Sequence, residues 1–248
     1  MKNLNRLDVI RALAFSSLLL VLSATSCSSE KQEKHSPIIE PIAKAYGLDS
    51  YDKVDAFRYT FNLDFPLGKV SRAWVWEPKT NTVSFDGKDK DGNPVKVTYQ
   101  RSQVASQPDT VKNMVDPSFV NDNYWFLFPF HAYWDTSADV QDKGTQNLPQ
   151  GSGSARLVSV KYSGGGYTPG DTWNLFVGND NRIVQLLFQH GGNAKPSVVI
   201  ATWDGYKMAG PILVSTDHVG TADGGALHLF FTNVAVKLEG SDTWVNAQ

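Results

Sequence analysis

A single cysteine in 248 residues rules out an internal disulfide framework and a cysteine zinc cage, since both need at least a second thiol. Gly-x-Ser-x-Gly, His-Glu-x-x-His and the Walker phosphate loop are also missing, so the usual signatures of a serine hydrolase, a zinc protease and a nucleotide-binding enzyme are not there. Positive charge is not in excess. The formal net charge is −2, which gives no basic field to hold nucleic acid or anionic lipid headgroups. There is no internal repeat, and the uncharged run from Ala12 to Ser26 falls short of the roughly 20 apolar residues that cross a bilayer.

What is there begins with an address. Lys2, Arg6 and Arg11 precede that apolar run, and small residues end it, the layout of a secretory signal over residues 1–26. Removing it takes away three positive charges and one negative, Asp8, leaving a mature chain at −4. Ala24-Thr25-Ser26-Cys27 resembles the bacterial lipoprotein signal, in which a peptidase cuts before a lipidated cysteine; Ala24 stands where Leu is usual. Lipidation at Cys27 would explain a lone thiol in an oxidising compartment. Ala24 and Ser26 also satisfy an ordinary A-x-A-like cut, which would leave a soluble periplasmic protein. Under the first reading the acyl chains tie the protein to a membrane at about 0.8 kcal/mol per buried methylene, without spanning it. Residues 27–36 then form a flexible tether, polar and charged with no apolar anchor. Ser28, where an Asp would by family habit hold the protein in the inner membrane, favours the outer membrane.

Residues 37–248 read as one domain, within the size of an all-β unit. Phe57, Tyr59, Phe61, Leu63 and Phe65 alternate with polar residues, a strand with one wet face. Val70–Glu77, Thr82–Phe85 and Val95–Tyr99 follow across turn signals, as an antiparallel meander. After a Gly/Ser/Gln-rich break over 141–154, further strands are expected over 156–162, 172–177, 182–189, 197–204, 211–216 and 226–238. Two segments leave this rhythm. Pro37–Tyr46 reads as a short helix stopped by Gly47, and Val111–Trp134 as helical turns broken at Pro117 and Pro129, lying against the aromatic face of the sheet. The expected fold is mainly β: a curved antiparallel sheet, an incomplete β-barrel, with short helices covering its concave face.

Ala45-Tyr46-Gly47-Leu48 with Tyr51, Trp74-Val75-Trp76-Glu77-Pro78, Tyr124-Trp125-Phe126-Leu127-Phe128-Pro129-Phe130, and Tyr167-Thr168-Pro169-Gly170-Asp171 leading into Trp173-Asn174-Leu175-Phe176-Val177 together resemble uncharacterised bacterial lipoproteins with the LolA/LolB-like fold, that of outer-membrane lipoprotein-sorting proteins. The resemblance is a matter of ordered short patterns and runs from about Ala43 to the last strand. It implies an incomplete barrel whose concave side, in characterised relatives, holds the acyl chains of a lipoprotein. It carries no catalytic or polar signature to transfer residue by residue.

Trp74, Trp76, Trp125, Phe126, Phe128, Tyr133 and Trp134 are the candidate ligand-lining residues, with core packing the plain alternative for each. No catalytic residue, cofactor or metal is expected. Asp86–Asn93 hints at a calcium loop, but Gly87 stands where the first acidic ligand belongs and Thr98 where the closing Glu belongs, so it reads as a solvated hairpin loop. Asp217, His218 and Asp223 are the nearest approach to a metal or acid–base cluster, in a Gly-rich segment expected to meet water. The leading function is a non-enzymatic, membrane-anchored lipoprotein that binds or carries a lipid, acyl chain or other apolar ligand. The alternatives are a structural or interaction lipoprotein with a self-filled core and, behind it, a hydrolase assembled from distant strands. The membrane and an apolar ligand are the expected partners, and no protein partner is indicated.

Overall fold

A computed structural model of the chain describes residues 36–136, 138–164, 169–191 and 197–248. The signal sequence, Cys27 and the tether up to residue 35 lie outside the described residues.

The chain enters through helix α1 (Ile39–Ala45), whose Ile39, Ile42 and Ala43 are buried. Gly47 ends it at φ 102°, and a Cβ there would sit 2.4 Å from the Pro211 carbonyl oxygen. Only glycine meets both demands, a left-handed backbone and a close approach. A 3-10 turn over Leu48–Lys53 leads into four antiparallel strands, β1 (Val54–Phe65), β2 (Gly68–Glu77), β3 (Thr82–Lys88) and β4 (Pro94–Gln100). The period-2 reading holds on β1: Phe57, Tyr59 and Phe61 are buried, and Arg58, Thr60 and Asn62 are turned to the other face. The β3–β4 loop closes on itself, with the Asp89 carboxylate accepting from the backbone N–H of Asp91 at 2.9 Å and of Asn93 at 2.8 Å.

A π-helical turn, Val111–Val115, runs directly into α2 (Asp116–Trp134). Neither proline breaks the segment as expected. Pro117 follows the π-helical turn directly, and Val115 and Asp116 before it keep helical backbone angles, so the helix runs through it. Pro129 is inside, and the backbone gives way two residues earlier at Leu127 (φ −125°, ψ 28°), so the helix kinks and continues.

Strands β5 (Asp139–Asn147), β6 (Ser154–Lys161), β7 (Thr172–Val177), β8 (Ile183–Gln189) and β9 (Val198–Thr202) make the second meander. The expected break over 141–154 is thus mostly strand. β5 is an exposed edge paired on one side only, and such a strand needs no apolar alternation to reveal it. A small hairpin, β10 (Lys207–Ala209) with β11 (Ile212–Val214), precedes β12 (Asp217–Ala222), β13 (Gly225–Leu238) and β14 (Trp244–Asn246). β12 is a second correction: the Asp217–Ala222 stretch, expected to meet water as loop, is a strand between β9 and β13. Gly220 allows this, because a Cβ there would meet the Ile200 carbonyl oxygen of β9 at 1.8 Å.

The strand order is β4-β3-β2-β1-β13-β12-β9-β8-β7-β6-β5, and β14 pairs with β13 beside β12. The sheet is large, curved and unclosed. Its two outer strands are consecutive in sequence, so the chain must cross the whole sheet between them. Eleven strands laid flat would span about 48 Å. Helix α2, at 19 residues, reaches only about 28 Å. The sheet curls around α2, whose rings meet those of β1, β2, β7 and β13, so α2 lies across the concave face.

Candidate functional site

Aromatic rings of the inner sheet face and of α2 meet directly. Phe126 stacks on Tyr59 at 4.2 Å between ring centres, Phe128 on Trp173 at 4.2 Å, and Trp125 meets Trp173 edge-on at 5.1 Å. Phe119, in the first turns of α2, sits between Trp74 (5.5 Å) and Trp76 (5.9 Å). Near the helix end Trp134 packs on Tyr51 at 4.7 Å and on Phe130 at 5.7 Å. The seven candidates therefore fall into separate groups: Trp74 and Trp76 at the start of α2, Trp125, Phe126 and Phe128 at its middle, and Trp134 at its end with Tyr133 partly buried nearby. Trp74, Trp76, Trp125, Phe126 and Phe128 are all buried. Their partners Trp173, Phe188, Trp203 and Phe231 are equally part of this layer and were not singled out in sequence. The signal that could have found them is the inward alternation of the strands expected over 172–177, 182–189, 197–204 and 226–238.

Charge locks the first half of α2 to the sheet. Asp122, fully buried, accepts from Arg72 Nη2 (2.6 Å) and Nε (2.7 Å) and from Trp74 Nε1 (2.8 Å), with Asn121 Nδ2 at 3.0 Å. Burial pushes the Asp122 carboxyl above its usual range, while the Arg72 guanidinium and the other donors pull it back. Asp116 likewise accepts from Tyr99 Oη at 2.7 Å and Arg101 Nε at 2.8 Å. Asn123 donates to Tyr59 Oη at 3.2 Å and accepts from His131 Nε2 at 2.7 Å. His131 lies flat on Tyr124, 4.0 Å between ring centres, and burial with the nearby Arg101 charge lowers its pKa to about 3. Carboxylates inside so apolar a segment were themselves the sequence signal for these anchors, since a buried charge demands a partner.

Asp217, His218 and Asp223 do not converge. Asp217 pairs with His228 at 2.6 Å on one face of β12, His218 points into the core on the other, and Asp223 accepts from Ser197 Oγ and the Val198 N–H, both at 2.8 Å. Among the described residues no group of three acidic, His or Cys side chains is placed to hold a metal. A depression of about 590 Å³ lies on the opposite, polar face of β1–β4, with Thr60, Ala73, Val75 and Ser84 among its lining and Arg58, Asp86 and Lys96 around it. Its lining mixes apolar side chains, Val75 and Val97, with the charged Arg58 and Lys96, and the sheet itself separates it from the aromatic layer under α2.

No protein-family model matches the chain, and no curated protein matches it in sequence. Solved structures similar to it include a DUF1329 family protein from Desulfovibrio piger, 9% identical at a TM-score of 0.43, covering 83% of this chain and 94% of that one. Another is the lipoprotein LppX of Mycobacterium tuberculosis, 10% identical at a TM-score of 0.28, covering 83% of this chain and 97% of that one. Likenesses at this level leave function to be read from the chain's own geometry.

Proposed function

We propose that this chain is a lipoprotein of the bacterial cell envelope, cut after Ser26, acylated at Cys27 and tethered through residues 27–36 to the outer membrane, whose half-barrel binds an acyl chain or similar apolar ligand between α2 and the inner face of the sheet. Among the described residues no helix is long and apolar enough to cross a membrane, and the proposed attachment needs none. In this reading the protein carries out no reaction.

The observation that supports ligand binding is the construction of α2. Asp116, Asp122 and Asn123, all within its first eight residues, tie it to the strands, and the kink at Leu127 lies beyond them. A helix pinned at one end and interrupted in the middle opens from its far end at lower cost than an unbroken one. The surface it covers is an aromatic layer on an unclosed sheet. Titration of the purified protein with a fluorescent fatty acid tests this, and saturable binding is the expected result.

A second reading is favoured by a different observation: Trp125, Phe126 and Phe128 are 5%, 3% and 0% exposed, so α2 by itself fills the curl. A structural or interaction lipoprotein of this kind shows no saturable binding while remaining folded.

A further inference from the structure

His218 of β12 and Trp203, just after β9, are 0% and 1% exposed, and their rings stand 4.3 Å apart. Trp125 of α2 and Phe231 of β13 close round them. His218 Nδ1 lies 3.1 Å from the Thr202 carbonyl oxygen, which can only accept, so Nδ1 carries the proton and Nε2 of the neutral ring is a bare acceptor. Among the described residues neither that Nε2 nor the Trp203 Nε1–H has a hydrogen-bond partner. A pure acceptor and a pure donor are thus left unmet on two adjoining rings under the middle of α2. Buried polar atoms are nearly always paired, so two in one cluster point to a group that completes both.

We propose that this pair receives the polar end of the apolar ligand, an oxygen that accepts a hydrogen bond from Trp203 Nε1–H and donates one through its own O–H to His218 Nε2. The hydroxyl of a long-chain alcohol and the un-ionised carboxyl of a fatty acid share this chemistry. The inference rests on the reading that the half-barrel binds an apolar ligand. An ether, ester or hydrocarbon end has no proton to give. A phosphate or ammonium headgroup is excluded as well, because it would stand unpaired among aromatic rings. Burial holds His218 neutral, its pKa lowered to about 4, which fits an uncharged partner.

The test is displacement of the neutral probe N-phenyl-1-naphthylamine from the purified protein by dodecanol, dodecanoic acid and dodecyl methyl ether. Wild type is expected to bind the alcohol or the acid about tenfold tighter than the ether, and whichever is tighter names the source. His218→Phe and Trp203→Phe, which keep an aromatic ring in place, should each bring that ligand level with the ether while probe binding persists. In wild type, the ¹⁵N resonance of His218 Nε2 should shift with the preferred ligand and stay still with the ether. Equal affinities for all three ligands in wild type would mean that the pair holds water at most, and the inference falls while ligand binding stands. A preference that survives in both variants also overturns it. Folded wild type that binds no probe at all overturns the ligand-binding reading itself.

Discussion

At the scale of single residues the buried histidines give the fold a pH limit. His218 titrates near 6.5 in the unfolded chain and, desolvated in the core, at about 4 in the folded one. As pH falls below 6.5 the unfolded state takes up the proton first, so stability is lost between pH 6.5 and 4. This one ring accounts for about 3 kcal/mol of that loss. Asp122, with its carboxyl raised, acts in the opposite sense, so the useful quantity is a difference. Urea denaturation at pH 7 and pH 4.5 should show a smaller loss of stability for His218→Phe than for wild type. Asp122 supports a second prediction. Asp122→Ala leaves the Arg72 guanidinium, largely buried, and the Trp74 N–H without their acceptor, at a cost of about 3 kcal/mol, whereas Asp122→Leu combined with Arg72→Met should recover most of it. The denaturation midpoints of the two variants check this.

At the scale of elements, α2 decides between carriage and filling. Its apolar residues are not confined to one stripe, because the sheet wraps it and several sides are buried at once. Trp125→Ala and Phe128→Ala remove rings packed on Trp173, and each should cost about 3–5 kcal/mol as a core truncation. If α2 is a cover over a ligand, each should also change the affinity for a fluorescent fatty acid under conditions where circular dichroism shows the strands intact. Loss of secondary structure in both, with wild type binding no probe, would identify α2 as ordinary core.

At the scale of the whole molecule, the two sheet edges stay apart, and each is guarded against pairing with another chain. β4 begins with Pro94 and carries exposed Lys96, and the β5–β6 register shifts between Asp142 and Thr145. Far-ultraviolet circular dichroism should therefore report antiparallel strand, with helix below about one third, the ordinary globular share. The address is tested separately. Cys27→Ser should move the protein from the membrane to the soluble fraction, and unchanged partitioning would remove the lipid anchor from the proposed function.

The alternation of Phe57, Tyr59 and Phe61, the dense turn signals and the Gly47 stop were enough, read along the chain, to determine an antiparallel sheet with a short helix before it, because period, turn chemistry and capping act over a few residues. The aromatic segment before Trp134 was equally legible as the cover of the sheet. The edge strand β5 and the Gly-containing β12 were not. Each is held by its partners across the sheet, and nothing in its own pattern requires it. Nor could local rules tell that Pro129 would kink α2 and not end it, since packing on several sides offsets the lost hydrogen bond. The pairing of Asp122 with Arg72, 50 residues away, and of His218 with Trp203 depends on which strands become neighbours once the sheet curls. That curl, with α2 packed along its inner face, rests on contacts between residues far apart in the chain, and tertiary structure alone decides it.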